Sequence, residues 1–257
     1  MATKQMKSSK FKKKYKALML DVDGTTIRNE HDAMPSQKVK DAIGKANKVI
    51  KVGLATSRPF WHVHHIIEDL KIDSPCIITG GAQIFDPKKN KVIWEKRIDF
   101  KDVKPILDSA KRYKLRTLEE GGKLKSIKDY KKEKPLQFWV QGLNHDLAES
   151  FFDEISKIPT VAILKVLPWK KDAVGIVISH AQATKQHGIL EVAKLLNIST
   201  YEIIGVGDGY NDFPLLMACG LKVAMGNATE DLKEIADYIA PTVDEDGVAD
   251  IIEKFVL

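Results

Sequence analysis

The sequence predicts an α/β fold, in which a doubly wound parallel sheet carries an inserted α+β domain. Two observations indicate this class. Near both ends of the chain, in residues 17–81 and 183–257, short apolar runs alternate with stretches of helical period, which is typical of a parallel, right-handed sheet. Between them, over residues 82–182, short β-prone runs surround two helical stretches, and that length suits a separate domain.

The first block contains three expected strands and two expected helices. These elements are a strand over residues 17–22, a helix over 36–50, a strand from residue 51, a helix from Pro59 to residue 70 and a strand over 75–79. Ser36 is a preferred N-cap residue, and Pro59 suits the first turn of a helix. The apolar runs are short and end at polar residues or glycine, as expected for strands buried on both faces of a sheet.

The same sequence patterns predict the strands and helices of the insert and of the last block. In the insert, β-prone runs cover residues 84–85, 92–97, 113–118, 136–141, 161–167 and 174–178, with helical patterns at 101–112 and 145–157. The last block is expected to contain helices over 184–196, 213–219, up to 236 and from 247, with strands over 203–206, 222–224 and 238–240. Repeated strand–helix units of this kind build a doubly wound sheet.

Composition and charge restrict the class of protein. The chain has 257 residues, of which 44% are apolar and 30% charged, as in ordinary globular proteins. No apolar stretch approaches the roughly 20 residues that span a bilayer, and the N-terminus lacks the apolar core of a signal peptide, so we expect a cytoplasmic protein without a membrane partner.

The net charge of +6 is unevenly distributed. Residues 1–16 contain seven lysines and no acidic residue, so the net charge of the remaining chain is −1. Residues 1–15 therefore predict a basic, disordered tail on a nearly neutral body, which argues against nucleic acid as the partner. Nothing in the sequence indicates an oligomeric state.

Two carboxylates end the first predicted strand. Asp21 and Asp23 flank Val22, and Gly24 follows, so the chain can turn away while both carboxylates stay near one ligand. Ligands of open α/β sheets bind beyond the carboxyl ends of the strands. Neighbouring carboxylates repel each other unless a cation lies between them, and Mg²⁺ prefers such oxygen ligands.

Three further polar clusters end an apolar strand or open a helix. Thr56, Ser57 and Arg58 end the second strand, and Lys185 lies in the first turn of a later helix. Asp208, Asn211 and Asp212 crowd into five residues directly after the strand at 203–206. Because the carboxyl ends of parallel strands meet at one edge, we expect all four clusters to lie at a single site.

The four clusters, in this order, resemble the motifs of the haloacid dehalogenase (HAD) superfamily, in particular its Cof-type phosphatases with a large α/β cap. The matching segments are Asp21-Val22-Asp23-Gly24-Thr25, Thr56 before Arg58, Lys185 in Thr-Lys-Gln, and Gly207-Asp208-Gly209-Tyr210-Asn211-Asp212. The resemblance implies a Rossmann-like core of residues 16–81 and 183–257 and a cap of residues 82–182. It also implies Mg²⁺-dependent hydrolysis of a small phosphate ester, such as a sugar phosphate or phosphoglycolate, through an aspartyl-phosphate.

The resemblance also implies a role for each motif residue. Asp21 would be the nucleophile, and Asp23 the general acid and then the general base. Mg²⁺ would be held by Asp21, Asp208 and the backbone carbonyl of Asp23, with support from Asp212. The groups expected around the phosphoryl oxygens are the Val22 amide, Thr56, Ser57, Lys185 and Asn211, and Arg58 is expected to contact the substrate.

The sequence departs from the usual family pattern at three positions. Val22 stands where leucine is usual, and Ser57 where glycine is common. The segment Gly80-Gly81-Ala82 replaces the usual Asn-Gly-Ala at the entrance to the cap, so the polar side chain expected at position 80 is missing.

Two other functions remain open at this point. A phosphomutase or phosphotransferase of the phosphomannomutase type would share every core residue, so only its products would distinguish it. A non-catalytic protein that binds anions through its basic tail belongs to a different class. The presence of both Asp21 and Asp23 argues against it, because binding alone has no need of both carboxylates.

Overall fold

The computed structural model describes residues 15–30, 32–119, 128–143, 145–166 and 174–257. The predicted basic tail therefore lies outside the described residues, apart from Tyr15. That side chain is 8% exposed and packs into the hydrophobic core.

The order of elements follows the predicted alternation of strands and helices. In chain order they are β1 Ala17–Leu20, α1 Gln37–Ala46, β2 Lys51–Leu54, α2 Phe60–Asp69, β3 Cys76–Ile78, β4 Gln83–Asp86, β5 Lys91–Glu95, α3 Phe100–Arg112, β6 Arg116–Glu119, β7 Gln137–Leu143, α4 His145–Ile155, β8 Val161–Val166, β9 Val174–His180, α5 Lys185–Leu196, β10 Ile203–Gly207, α6 Phe213–Ala218, β11 Leu221–Ala224, α7 Glu230–Ile235, β12 Tyr238–Ile239 and α8 Gly247–Phe255.

A five-stranded parallel sheet in the order β12-β11-β10-β1-β2 forms the centre of the core. Strand β1 is paired on both sides, in register with Ile203–Val206 of β10 and with β2. Its side chains alternate between two hydrophobic clusters. Leu18 and Leu20 face the cluster that contains α1, α2 and α8, whereas Ala17 and Met19 face the one that contains α5, α6 and α7. The sheet is thus covered by helices on both faces, which confirms the predicted doubly wound α/β class.

The hairpin β4–β5 lies with the core, although the sequence interpretation began the cap at residue 82. Strands β3, β4 and β5 form a three-stranded antiparallel sheet, and the bridge between Ala55 and Ile77 continues it from the end of β2. Ile84 and Trp94 pack in the cluster beneath α5. Their apolar pattern could not reveal which domain they would pack against. We therefore propose that the cap begins after β5.

The cap is built on a four-stranded antiparallel sheet in the order β6-β7-β9-β8. Helices α3 and α4 pack against it around a separate hydrophobic cluster that includes Ile106, Phe138 and Phe151. Leu136 packs between Ala82 and Ala183, where the cap meets the core. None of the helices within the described ranges is long and apolar enough to cross a membrane.

Candidate active site

The carboxyl ends of β1 and β10 bring three carboxylates together. Oxygen atoms of Asp21, Asp208 and Asp212 lie within 4.8 Å of one another. Asp21 follows β1 directly, and the other two follow β10, because the in-register parallel pairing ends both strands at the same level. The cluster combines residues nearly 190 positions apart in the sequence, as Asp21 and Asp208 are.

Lys185 joins two of these carboxylates. Its Nζ atom donates hydrogen bonds of 2.6 Å to Oδ1 of Asp21 and of 2.6 Å to Oδ1 of Asp212. The side chain is only 2% exposed, and Thr184 caps the helix that carries it by accepting from the His187 amide. Two of the three carboxylates thus share one ammonium group.

The loop after β10 is held by one of its own carboxylates. Oδ2 of Asp212 accepts hydrogen bonds of 3.0 Å from the backbone amides of Asp208 and Gly209. Gly24 lies opposite, where a Cβ atom would stand 2.2 Å from Oδ2 of Asp208. With a φ of +77°, position 24 therefore needs glycine both for its backbone conformation and for the close approach of Asp208.

Asp23 and Arg58 form a two-point ion pair at the side of the cluster. Nε and Nη2 of Arg58 donate to the two Asp23 oxygens at 2.9 and 2.5 Å. Asp23 is 27% exposed, whereas Arg58 is 9% exposed and also donates to the His62 carbonyl. Arg58, expected at the substrate, thus contacts the expected acid–base residue, and the carboxylate of Asp23 lies outside the three-carboxylate cluster.

The remaining motif residues border the same site. Thr56 is buried, and its Oγ1 accepts from the Arg58 amide, so its hydroxyl hydrogen stays available to a ligand. Ser57 accepts a 3.5 Å hydrogen bond from the Asn211 amide group. The carbonyl of Val22 accepts from the amides of Thr26 and Ile27, and this tight turn brings the chain back after Asp23. Strand β8 of the cap lies against the turn Tyr210–Asp212.

Comparison with known proteins identifies the family. A sequence model of the haloacid dehalogenase-like hydrolases matches residues 18–163 and 119–252, which together span most of the chain. The chain belongs to this family. The four motifs and the large α/β cap make it a Cof-type member, as the sequence predicted.

Two curated relatives of this HAD hydrolase are named as phosphatases. The 5-amino-6-(5-phospho-D-ribitylamino)uracil phosphatase YcsE of Bacillus subtilis is 27% identical over 94% of this chain and 96% of its own. Phosphatase YwpJ of the same organism is 28% identical over 94% of this chain and 100% of its own. The predicted enzyme class, a phosphatase, is confirmed.

The fold of this HAD phosphatase is shared with solved structures. A HAD phosphatase from Bacteroides thetaiotaomicron superimposes with a TM-score of 0.82, at 22% identity and over 99% of both chains. At this identity the likeness shows the fold alone. It agrees with the core and cap architecture described above.

The carboxylate cluster has the chemistry of a magnesium site. Burial, reinforced by the charge of Asp212, raises the pKa of Asp21 well above its usual range. The same two causes raise the pKa of Asp208 to about 7. Burial alone would lower the pKa of Lys185, but Asp21 and Asp212 raise it overall, so the ammonium stays charged. One positive charge faces three carboxylates, and the residues fit a hard divalent cation with oxygen ligands.

Three polar residues that the sequence interpretation did not include also hold the site. Thr25 donates to Oδ1 of Asp208 at 3.1 Å, and Thr26 donates to the Asp21 carbonyl at 2.6 Å. Asn227 donates to the Gly24 carbonyl at 2.8 Å and accepts from the Val243 amide at 2.8 Å. Thr25 is the last residue of the first motif and Thr26 follows it, but neither had been given a role of its own. Asn227 lies just beyond β11, so its position at the carboxyl end of a strand was the available signal.

We predict that the metal-free protein loses stability as pH rises through neutrality. The pKa of Asp208 is raised from 3.8 to about 7, so the folded state binds more protons than the unfolded state between these values. This contribution is fully present below the unfolded-state pKa and is lost as pH rises through about 7. In EDTA, the midpoint of thermal unfolding should therefore fall by a few degrees between about pH 5.5 and 8, and added Mg²⁺ should raise it more at pH 8.

The matched variant is Asp208→Asn, which removes the titrating group. It should flatten the dependence of the unfolding midpoint on pH in EDTA and weaken the response to Mg²⁺. A midpoint that rises with pH in the metal-free wild type, or an unchanged pH dependence in Asp208→Asn, would contradict this interpretation of the cluster.

Proposed function

We propose that the protein is a Mg²⁺-dependent phosphomonoester hydrolase that acts on a small phosphorylated metabolite through an aspartyl-phosphate at Asp21. The observation that carries the proposal is the Lys185 bridge between Asp21 and Asp212 beside Asp208. This arrangement brings three groups together. They are a buried nucleophile, a fixed ammonium group, and a set of carboxylates that can bind a second cation. Such a set is adapted to bring an anionic nucleophile to an anionic phosphate.

The residues that would hold Mg²⁺ are Asp21 and Asp208, with the backbone carbonyl of Asp23, while Asp212 supports this shell through its contacts with the loop amides. When bound, the cation would supply the positive charge that offsets the repulsion between the Asp21 carboxylate and the phosphoryl oxygens.

In the first step, a carboxylate oxygen of Asp21 attacks phosphorus while the bond from phosphorus to the ester oxygen breaks. Asp23 gives its proton to the departing alcohol. Lys185, the Thr56 hydroxyl, the Asn211 amide group and the Val22 backbone amide bind the phosphoryl oxygens, with Ser57 orienting Asn211.

In the second step, Asp23 takes a proton from water, and the water oxygen attacks the aspartyl-phosphate. The bond between phosphorus and Asp21 breaks, which releases inorganic phosphate and restores the carboxylate. Asp23 is thereby protonated again for the next cycle, so protons balance over the two steps.

Arg58 governs this proton transfer in the proposed mechanism. The Arg58 guanidinium contacts both carboxylate oxygens of Asp23 and fixes their orientation, which suits the base of the second step. The contact must loosen when Asp23 carries the proton. We therefore assign Arg58 a positioning role, and its earlier assignment to the substrate becomes the alternative that kinetics can separate.

The substrate is proposed to be a small phosphate ester of a cellular metabolite, in a cytoplasmic setting. Support comes from the cap, whose strand β8 lies against the turn Tyr210–Asp212 of the site. Further support comes from YcsE, whose name specifies a phosphorylated D-ribityl compound.

We predict that Asp21→Asn abolishes hydrolysis of p-nitrophenyl phosphate, by more than about 1,000-fold in kcat, because an amide cannot serve as the nucleophile. EDTA should abolish the activity of the wild type, and Mg²⁺ should restore it. The control is Asp108→Asn, the same substitution at an exposed cap residue paired with Lys104, and its activity should stay within about twofold of wild type.

Phosphatase activity retained by Asp21→Asn would rule out this nucleophile. With a sugar phosphate as substrate, the products of the wild type should be inorganic phosphate and free sugar. An isomeric sugar phosphate would instead indicate a mutase.

We predict that Arg58→Met lowers kcat by up to about 100-fold with little change in KM, because Asp23 loses the partner that fixes its orientation. Arg112→Met, at an exposed arginine paired with Glu154 in the cap, is the control and should retain wild-type kinetics. A rise in KM with unchanged kcat would show instead that Arg58 binds the substrate.

A further inference from the structure

Gln137 is a buried polar residue at the base of the cap. It is the first residue of β7, follows Leu136 at the junction of the two domains, and is 1% exposed. Its Nε2 atom is buried and has no hydrogen-bond partner within the described ranges of the chain. Buried amide groups are nearly always hydrogen-bonded, so an unpartnered one indicates a group kept for another purpose.

The amide of Gln137 faces the space beside Gly80. A Cβ atom at position 80 would meet only Oε1 of Gln137, at 3.9 Å, within 4 Å of it. The Gln137 amide thus lies, from the cap side, against the space that a side chain at position 80 would occupy.

The space lies next to the groups assigned to the phosphate. The amide of Gly80 donates to the Thr56 carbonyl at 3.0 Å. At Gly81, a Cβ atom would stand 2.2 Å from the backbone of Thr184 and 2.7 Å from the Lys185 amide. The turn Thr79–Gly81 is therefore wedged between the second motif and the start of α5, and Gln137 lies beside Gly80 of this turn.

The backbone around Gln137 holds the amide in place. Gln137 pairs with Ser179 of β9, whose Oγ donates to the Ala183 carbonyl at 3.0 Å in the chain segment that returns to the core. Leu136 is packed between Ala82 and Ala183. A side chain fixed in this way binds a ligand with little loss of conformational freedom.

We propose that the Gln137 amide hydrogen-bonds a hydroxyl group on the leaving alcohol, so that phosphate esters of sugars or polyols are the preferred substrates. The proposal rests on the proposed function and specifies its substrate class. The Nε2 group of the amide can donate two hydrogen bonds and Oε1 can accept, and a hydroxyl group can both donate and accept. The phosphoryl oxygens already have Lys185, Thr56 and Asn211, and an amide on the cap side is placed for the remainder of the ester.

The kinetic test compares wild type with Gln137→Met, which keeps the side-chain length and removes both hydrogen-bonding atoms. Ribitol 5-phosphate, glucose 6-phosphate and p-nitrophenyl phosphate are the probes. For whichever of the first two is hydrolysed faster, kcat/KM should fall at least about tenfold, since losing a hydrogen bond to a substrate hydroxyl has effects of this size or larger. For p-nitrophenyl phosphate, which lacks hydroxyl groups on its ring, kcat/KM should change less than about twofold. Equal losses on both kinds of ester, or no loss on either, would overturn the proposal.

Two further variants separate recognition from damage to the fold. Gln182→Met places the same substitution at an exposed position nearby and should leave both activities unchanged. Gly80→Asn in the Gln137→Met background should recover part of the lost activity on the hydroxylated ester, because asparagine tolerates the φ of +65° at position 80. The unfolding midpoint of ligand-free Gln137→Met should equal or exceed that of wild type, and a clear decrease would mean that the amide is structural.

Binding distinguishes failure of this proposal from failure of the proposed function. Ribitol 5-phosphate should raise the unfolding midpoint of wild type more than that of Gln137→Met, and this measurement does not require hydrolysis. If the protein hydrolyses none of the esters but shows this difference in unfolding midpoint, the proposed function is refuted and the role of Gln137 in binding stands. Equal shifts in the two proteins would overturn the role of Gln137 even if hydrolysis depends on Asp21.

Discussion

The crowding of three carboxylates around one ammonium group is the constraint on which the site depends. Lys185 contacts Asp21 and Asp212 at 2.6 Å in nearly complete burial, yet the cluster keeps an excess of negative charge. Burying such charges is costly unless partners compensate them. Removal of the ammonium would leave uncompensated carboxylates, a loss of about 3–5 kcal/mol in comparable buried pairs. A bound cation would compensate this excess negative charge. Cation binding therefore links the stability of the core to its chemistry.

The parallel sheet makes this crowding possible. Strands β1 and β10 pair in register, so that Asp21 and the loop that begins at Asp208 leave the sheet side by side. Contacts within a loop and contacts from distant parts of the chain then fix the loops. Asp212 accepts from two loop amides, and Asn227 ties the Gly24 carbonyl to the segment at Val243. The helices on both faces supply burial, which raises the pKa values of Asp21 and Asp208 and strengthens the contacts within the cluster.

Local sequence patterns predicted most of the fold and the chemistry expected of the motifs. They did not predict which partners the individual side chains contact. Hydrophobic periodicity predicted nearly every strand and helix, and the polar residues at the strand ends lie together as expected, while their roles stay a prediction. The same periodicity could not show which domain β4 and β5 would pack against, because an apolar strand does not specify which surface it packs against. Arg58 was expected at the substrate; it contacts Asp23, a contact that its local sequence did not indicate, and its substrate role stays a prediction. No local sequence pattern singled out Gln137, because its position beside Gly80 depends on how the cap meets the core.

The most direct test of the central claim is to find the phosphoryl group on the enzyme during turnover. The Asp23→Asn variant should accumulate the intermediate, because it lacks the base that activates water in the second step. Acid quenching after mixing with p-nitrophenyl phosphate and Mg²⁺, followed by mass spectrometry of the peptides, should place one phosphoryl group on Asp21. Phosphate on another residue, or steady hydrolysis without any phosphorylated peptide, would contradict the proposed role of the Asp21 cluster.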